Sequence, residues 1–174
     1  MLFAPIALFA GALSAISMLG AQLNPFVEGQ MSLTDLGGNT PIFNSSQQYI
    51  PGDTPTVEYA HLRLAGPVSS SAAGLYITNF QSKAPSSLSI CTAPNPADKF
   101  DVTIDEGSQV LYSGTLSDLA SEHNSPQTLL PISGGVLKPG QTATIKLSVG
   151  LDVSADNPYM GCSVSASLAW YAAQ

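Results

Sequence analysis

The chain has 174 residues, of which 44% are hydrophobic and only 10% are charged, and its formal net charge is −7. Soluble domains carry about 25% charged residues, so this chain has an unusually charge-poor surface, and about a fifth of its residues are Ser or Thr. Its five basic residues are spread between positions 63 and 146, which excludes a phosphate-binding stripe for nucleic acid and disfavours anionic membranes. The length predicts one domain of sandwich or barrel size, and the composition favours a subunit of an assembly.

Residues 1–27 contain no charged group and form the most apolar part of the chain. A secretory signal peptide begins with basic residues, and none occurs here. A transmembrane helix over residues 1–21 has sufficient length but has no flanking Lys, Arg, Trp or Tyr to anchor it. The third interpretation is an extended strand, so three readings of this segment stay open on the residues alone.

The strand interpretation assigns residues 1–12 to pairing with another molecule. Alternate positions are apolar on both faces of such a strand, and Pro5 suits an edge or a partner's groove. A strand that is apolar on both faces requires burial on both sides, and adding it to an open sheet edge of a second molecule is donor-strand complementation. The predicted donor residues are Leu2, Phe3, Ala4, Ile6, Leu8, Phe9 and Ala10.

The rest of the chain alternates apolar and polar residues in short runs that end at Gly or Pro. The predicted strands lie within residues 26–38, 54–67, 74–83, 87–93, 99–107, 109–116, 141–153 and 162–174. Residues 101–114 are typical of a hairpin that turns at Glu106-Gly107, and residues 116–125 contain the one helical candidate, with Ser117 as the expected N-cap. The pattern predicts an all-β fold, an antiparallel jelly-roll β-sandwich with one short surface helix.

The motifs of residues 25–174 resemble the TasA/camelysin family. Its C-terminal pattern is matched by Lys138-Pro139-Gly140, Leu151-Asp152, Asn157-Pro158-Tyr159-Met160-Gly161 and Ala172-Ala173-Gln174. Upstream, residues 26–37 are similar to the family's Phe-X-X-Gly-X-X-X-Leu start, and residues 49–66 are similar to its Pro-Gly-Asp turn and long strand. Leu64-Ala65-Gly66 stands where the family has Asn-X-Gly, so this last match is softer.

The resemblance implies a secreted, extracellular jelly-roll subunit that polymerises into pilus or biofilm-matrix fibres. It divides the chain into a donor segment, residues 1–24, and a jelly-roll domain, residues 25–174. The expected partners are identical subunits in a helical homopolymer, with lateral contacts to other fibres and a role in cell adhesion. No cofactor and no small-molecule substrate are expected. The alternative is a membrane-anchored cell-surface binding domain in which residues 1–21 span the bilayer.

An enzymatic function is not expected. Some members of the family were described as metallopeptidases, but His61 and His123 are the only histidines and no His-Glu-X-X-His motif pairs two zinc ligands. Four carboxylates, those of Asp98, Asp101, Asp105 and Glu106, lie close in sequence, yet their spacing does not fit a calcium loop. A solvated strand face is the preferred interpretation.

Two further sites follow from an extracellular location. The chain has two cysteines, Cys91 and Cys162, so a disulfide between them is the simplest prediction, with two free buried thiols as the alternative. Asn44-Ser45-Ser46 is a sequon for N-glycosylation at Asn44.

Overall fold

A computed structural model describes residues 13–16, 32–35, 49–83, 91–159 and 162–173. These residues form two β-sheets and one short α-helix, so the all-β prediction is confirmed. The first sheet contains four strands, β1 (Leu13–Ile16), β4 (Ala72–Lys83), β7 (Leu130–Pro131) and β9 (Ser163–Ala173). The second contains five, β2 (Ser32–Asp35), β3 (Thr56–Ala65), β5 (Phe100–Glu106), β6 (Gln109–Thr115) and β8 (Thr142–Leu151).

The strand order is β1-β9-β4-β7 in one sheet and β2-β3-β8-β5-β6 in the other. Every pair is antiparallel except β1 and β9, which are parallel. From β3 onward the chain crosses repeatedly between the sheets, because β4, β7 and β9 belong to one sheet and β3, β5, β6 and β8 to the other. Strands that are distant in sequence therefore become neighbours.

The core lies between the two sheets, since inward-facing side chains of both sheets join a single cluster. In β3 the side chains of Ala60, Leu62 and Leu64 are buried, whereas the alternate side chains between them are exposed. The apolar residues that alternate with polar ones along the predicted strands of β5, β8 and β9 are buried as well; they are Phe100, Val102, Ile104, Ala143, Ile145, Leu147, Val149, Val164, Ala166, Leu168 and Trp170. The two-residue periodicity therefore predicted the core-facing side of each of these strands correctly.

The predicted hairpin is confirmed, with β5 ending at Glu106 and β6 beginning at Gln109. The helix α1 spans Leu116–Glu122, and its N-cap is Thr115, two residues before the expected cap. The Thr115 hydroxyl accepts a hydrogen bond from the Asp118 backbone N–H at 3.1 Å and donates to the Asp118 carboxylate at 2.8 Å. Ser117 is instead inside the first turn, where its hydroxyl accepts from the Asn95 side chain at 2.8 Å. The cap prediction was therefore wrong in position.

A candidate assembly surface at strand β9

Strand β9 has described strands on both sides. Its antiparallel neighbour β4 pairs with it from Ala72 opposite Ala173 to Lys83 opposite Ser163. On the other side lies β1, whose Leu13 is opposite Ala166 and whose Ile16 is opposite Ala169. A short piece of the apolar N-terminal segment thus forms a parallel edge strand against the C-terminal strand, and sequence reasoning did not predict this pairing.

The composition of β9 explains why it lies inside the sheet. Leu168 and Trp170 point into the core, and Ser167 and Ala169, which point to the opposite face, are also buried. A strand that is buried on both faces needs small or apolar residues at every position, and this part of the sequence supplies them. Trp170 Nε1 has no hydrogen-bond partner among the residues that the structure describes, which costs about 1–3 kcal/mol within the core.

An irregularity in β4 faces the middle of β9. The register shifts between Thr78 and Gln81, and Asn79 has a φ of 51°, which is a left-handed conformation that asparagine tolerates better than most residues. The Asn79 side-chain amide donates to the Ser167 hydroxyl at 3.5 Å, and the Thr78 hydroxyl donates to the Ser167 carbonyl at 3.5 Å. The bulge therefore places the polar side chains of Thr78 and Asn79 within hydrogen-bonding distance of the buried Ser167.

A disulfide joins Cys91 to Cys162, with their Cα atoms 4.8 Å apart, so the predicted pairing is confirmed. Cys162 lies directly before β9, and residues 91–93, the described part of the strand expected over residues 87–93, are not a strand. The backbone N–H groups of Thr92 and Ala93 both donate to the Pro158 carbonyl at 2.9 Å. Because these donors bind a 3₁₀ helix at residues 157–159 rather than a neighbouring strand, residues 91–93 do not extend a sheet.

The disulfide has its own small apolar cluster, separate from the main core. Ala93 is buried with both cysteines, and Tyr159 packs against them. The cross-link therefore fixes the beginning of β9, whose middle pairs with β1.

The other predicted sites of assembly and modification are not covered by the structure. The donor residues, Leu2, Phe3, Ala4, Ile6, Leu8, Phe9 and Ala10, and the sequon asparagine Asn44 all lie outside the described residues. Of the segment 1–21 that the membrane-anchor alternative requires, residues 13–16 are described, and they are extended. Within the described ranges, no helix has the length and apolar character to cross a bilayer.

The two histidines lie on different parts of the fold. His61 is on the outer face of β3, with Nδ1 3.1 Å from the Thr144 hydroxyl, whereas His123 follows α1, with Nδ1 2.8 Å from the Thr128 carbonyl. In the part of the chain that the structure describes, no three His, Cys, Asp or Glu side chains are grouped as metal ligands. The histidines therefore have local partners of their own.

The four neighbouring carboxylates have separate surroundings. Asp98 accepts from the Asn95 amide at 2.6 Å, and Asp105 forms an ion pair with Lys146 at 3.3 Å. Glu106 accepts from both the backbone N–H and the hydroxyl of Ser133, at 2.5 and 2.6 Å. This carboxylate holds a turn in which three consecutive residues, 133–135, have positive φ. These contacts are structural, and Asp101 is on the exposed face of β5 as expected.

No protein-family model matches the sequence, and a search of curated proteins finds no significant match.

Proposed function

We propose that this protein is the structural subunit of an extracellular filament, a pilus or a biofilm-matrix fibre. In this proposal the apolar N-terminal segment of one copy completes the sheet of the next copy by donor-strand complementation. The observation that carries the proposal is the parallel pairing of residues 13–16 with β9. It supports β9 as an edge that accepts the N-terminal segment.

The described contact between β1 and β9 is short compared with β9 itself. It covers four positions, Ala166–Ala169, of a strand that has 11 residues. Among the described residues, the other seven of the 11 residues of β9 have no strand partner on this side. The proposal is that residues 1–12 of a second copy pair along this edge of β9 and link the subunits head to tail.

The predicted donor segment has suitable length and composition for such a link. An extended strand rises about 3.3 Å per residue, so residues 1–12 reach about 40 Å, which is enough to follow β9 of a neighbour. Each buried Leu, Ile or Phe side chain contributes about 1.5–3 kcal/mol, and six of the twelve residues are Met, Leu, Ile or Phe. This burial offsets a large part of the cost of ordering the segment, which is about 1–2 kcal/mol per residue for the backbone.

The strand order supports the finer assignment of a jelly roll. If β2 is set aside as an addition, the remaining eight strands in chain order are arranged 1-8-3-6 in one sheet and 2-7-4-5 in the other. This is the order of a double-sheet jelly roll with two Greek keys. The first strand departs from it in direction, since β1 is parallel to its neighbour. In the proposal, this first position is where the donor strand of a neighbouring copy enters.

The remaining support comes from the disulfide, the composition and the resemblance to the TasA/camelysin family. Disulfides persist in oxidising, extracellular environments, and the Cys91–Cys162 bond is formed. A surface with few charges repels copies of itself weakly, which favours close packing in a fibre and lateral contacts between fibres. The proposed role is adhesive and structural, without a catalytic step or a cofactor, and the partners are identical subunits.

The experiment is electron microscopy of the purified protein with three variants. The wild type and the conservative variant Ile6→Leu should form filaments, whereas deletion of residues 1–12 and the variant Ile6→Asp should leave folded monomers. Native filaments from the deleted chain would overturn donor-strand exchange. A wild-type chain that fractionates with membranes and never polymerises would instead favour the membrane-anchored binding domain.

A further inference from the structure

The two ends of the sandwich are built from different loops. Strand β3 begins where β8 ends, because Thr56 is opposite Val149, and Phe100 at the start of β5 is opposite Leu151. At the other end Arg63 of β3 is opposite Thr142, the first residue of β8. Each of β3 and β8 has 10 residues, so the two ends are about 30 Å apart.

The first end, called here the acidic end, consists of residues 50–55 and 151–156 together with the start of β5. Its two loops are joined by a hydrogen bond from the Gly52 N–H to the Leu151 carbonyl at 3.1 Å. Ile50 and Val153 are 62% and 78% exposed there. Single exposed aliphatic side chains are normal on a protein surface, but these two share one end of the fold, which is unusual.

Four carboxylates belong to the same two loops and to the start of β5. They are Asp53, Asp101, Asp152 and Asp156. The neighbouring cation is Lys99, whose Nζ donates to the Ser154 hydroxyl at 2.7 Å. Partial burial and then the charge of Asp152 raise the pKa of Asp101, while hydrogen bonds from Ser154 lower that of Asp152. Four carboxylates against one ammonium group give this end a negative formal charge.

The second end, called here the basic end, consists of residues 63–71 and 132–141. Its loops are joined by two hydrogen bonds, from the Ser70 N–H to the Leu137 carbonyl at 2.9 Å and from the Leu137 N–H to the Ser70 hydroxyl at 2.8 Å. Val68 and Val136 are 40% and 44% exposed. This end therefore also combines fixed loops with exposed aliphatic side chains.

The charges at the basic end have the opposite sign. Arg63 and Lys138 are exposed, and among the described residues neither is in an ion pair. The nearby carboxylate of Glu106 accepts hydrogen bonds from the backbone N–H and hydroxyl of Ser133. These donors are neutral, so two cations and one carboxylate give this end a formal charge of +1. Two of the five basic residues of the whole chain thus lie at this one end.

We propose that the acidic end of one copy docks against the basic end of the next copy, which adds an axial contact to the strand exchange of the proposed filament. A contact between two different surfaces on opposite ends of one molecule is heterologous, so it propagates instead of closing. The occupant of each end is a second copy because the same chain carries both complementary surfaces, each with exposed aliphatic side chains and with formal charges of opposite sign. This inference rests on the filament function and names a second interface for it.

The test uses two charge-reversed variants, alone and mixed. R63E/K138E makes both ends acidic and changes the net charge from −7 to −11, and D53K/D156K makes both ends basic and changes it to −3. Because both variants remain negative overall, general attraction does not bring them together. All four side chains are exposed, and circular dichroism with thermal unfolding verifies that each variant folds.

Assembly is followed by light scattering and electron microscopy at low ionic strength, about 10 mM, where the Debye length is about 30 Å. Each variant alone should assemble at least about fivefold more slowly than the wild type, since like charges then face each other. The equimolar mixture should recover the wild-type rate, and added salt should reduce the differences. The variant S113E/Q127E, which adds charge away from both ends, should assemble like the wild type.

The outcomes separate this inference from the filament proposal. If the wild type polymerises and both variants alone polymerise equally fast, the axial contact is refuted and the filament stands. The same conclusion follows if the mixture is no faster than its components. If the wild type forms no polymer under any condition, the filament function itself is refuted, and with it the axial contact.

Discussion

Replacing both cysteines with alanine removes the cross-link that fixes the start of β9. The disulfide joins residues 71 positions apart. In the chain-entropy model, closing a loop of that size lowers the entropy of the unfolded chain enough to stabilise the fold by about 4.4 kcal/mol at 25 °C. For a chain of this length the loss should lower the midpoint of thermal unfolding by about 9–18 °C. The small cluster around Cys91 and Cys162 adds a further packing loss.

The assay is urea unfolding followed by circular dichroism, with and without a reducing agent. The wild type under reducing conditions should unfold close to the C91A/C162A variant, and the reducing agent should not alter the variant. A loss below about 1 kcal/mol would refute the reasoning, because it would mean that the cross-link barely restricts the unfolded chain. The residual difference between reduced wild type and variant measures the packing of the cysteine side chains alone.

Three other substitutions test local parts of the fold. Gly74→Val should lower the free energy of unfolding in urea by about 2 kcal/mol or more, because a Cβ there would lie 2.6 Å from the Leu130 carbonyl oxygen. An unchanged midpoint of urea unfolding would show that β7 moves freely. Glu106→Gln should lower the free energy of unfolding by about 1–2 kcal/mol, because it removes the charged acceptor of the Ser133 turn. An equal loss for Glu106→Ala and Glu106→Gln would argue against hydrogen bonding as the cause. Asp101→Asn should raise the free energy of unfolding at pH 7 and not at pH 3. Partial burial raises the folded-state pKa of Asp101, so the protonated carboxyl favours the folded state. That stabilisation is lost as the pH rises through this pKa, and the neutral Asn side chain restores it. A gain of equal size at both pH values would contradict this cause.

The sequence predicted the long strands well because their alternation records which side chains meet the core. In β3 and β8 the apolar residues recur at every second position, and this period alone determines the buried face. The disulfide was also predictable, since two cysteines allow one pairing and the expected compartment is oxidising.

The parallel pairing of β1 with β9 was not predictable from the same signal. Leu13 and Ala166 are separated by most of the chain, and an apolar run indicates burial without specifying its partner or direction. Strand β7 has two residues, one of them Pro131, which is too short for any periodicity. Of the strand expected over residues 87–93, the described part, residues 91–93, is not a strand, because the amides of Thr92 and Ala93 bind the Pro158 carbonyl, a tertiary contact that overrides local propensity.

The two charged ends depend on topology in the same way. Arg63 and Lys138 are far apart in sequence, and so are Asp53 and Asp152. They come together because β3 and β8 are antiparallel neighbours. The order of charged residues along the sequence does not predict two ends of opposite charge. The strand order is what places these residues at the two ends.

The central claim is that the N-terminal segment of one copy inserts into another copy. The most direct measurement places a photoreactive benzoylphenylalanine at position 6, in place of Ile6, in filaments assembled from equal amounts of unlabelled and ¹⁵N-labelled protein. After irradiation, mass spectrometry of the cross-linked peptides should find mixed-label pairs as abundant as same-label pairs, with position 6 joined to peptides of β9 or β1. Cross-links that join only peptides of the same label would show that the segment folds back onto its own chain, and they would contradict the account.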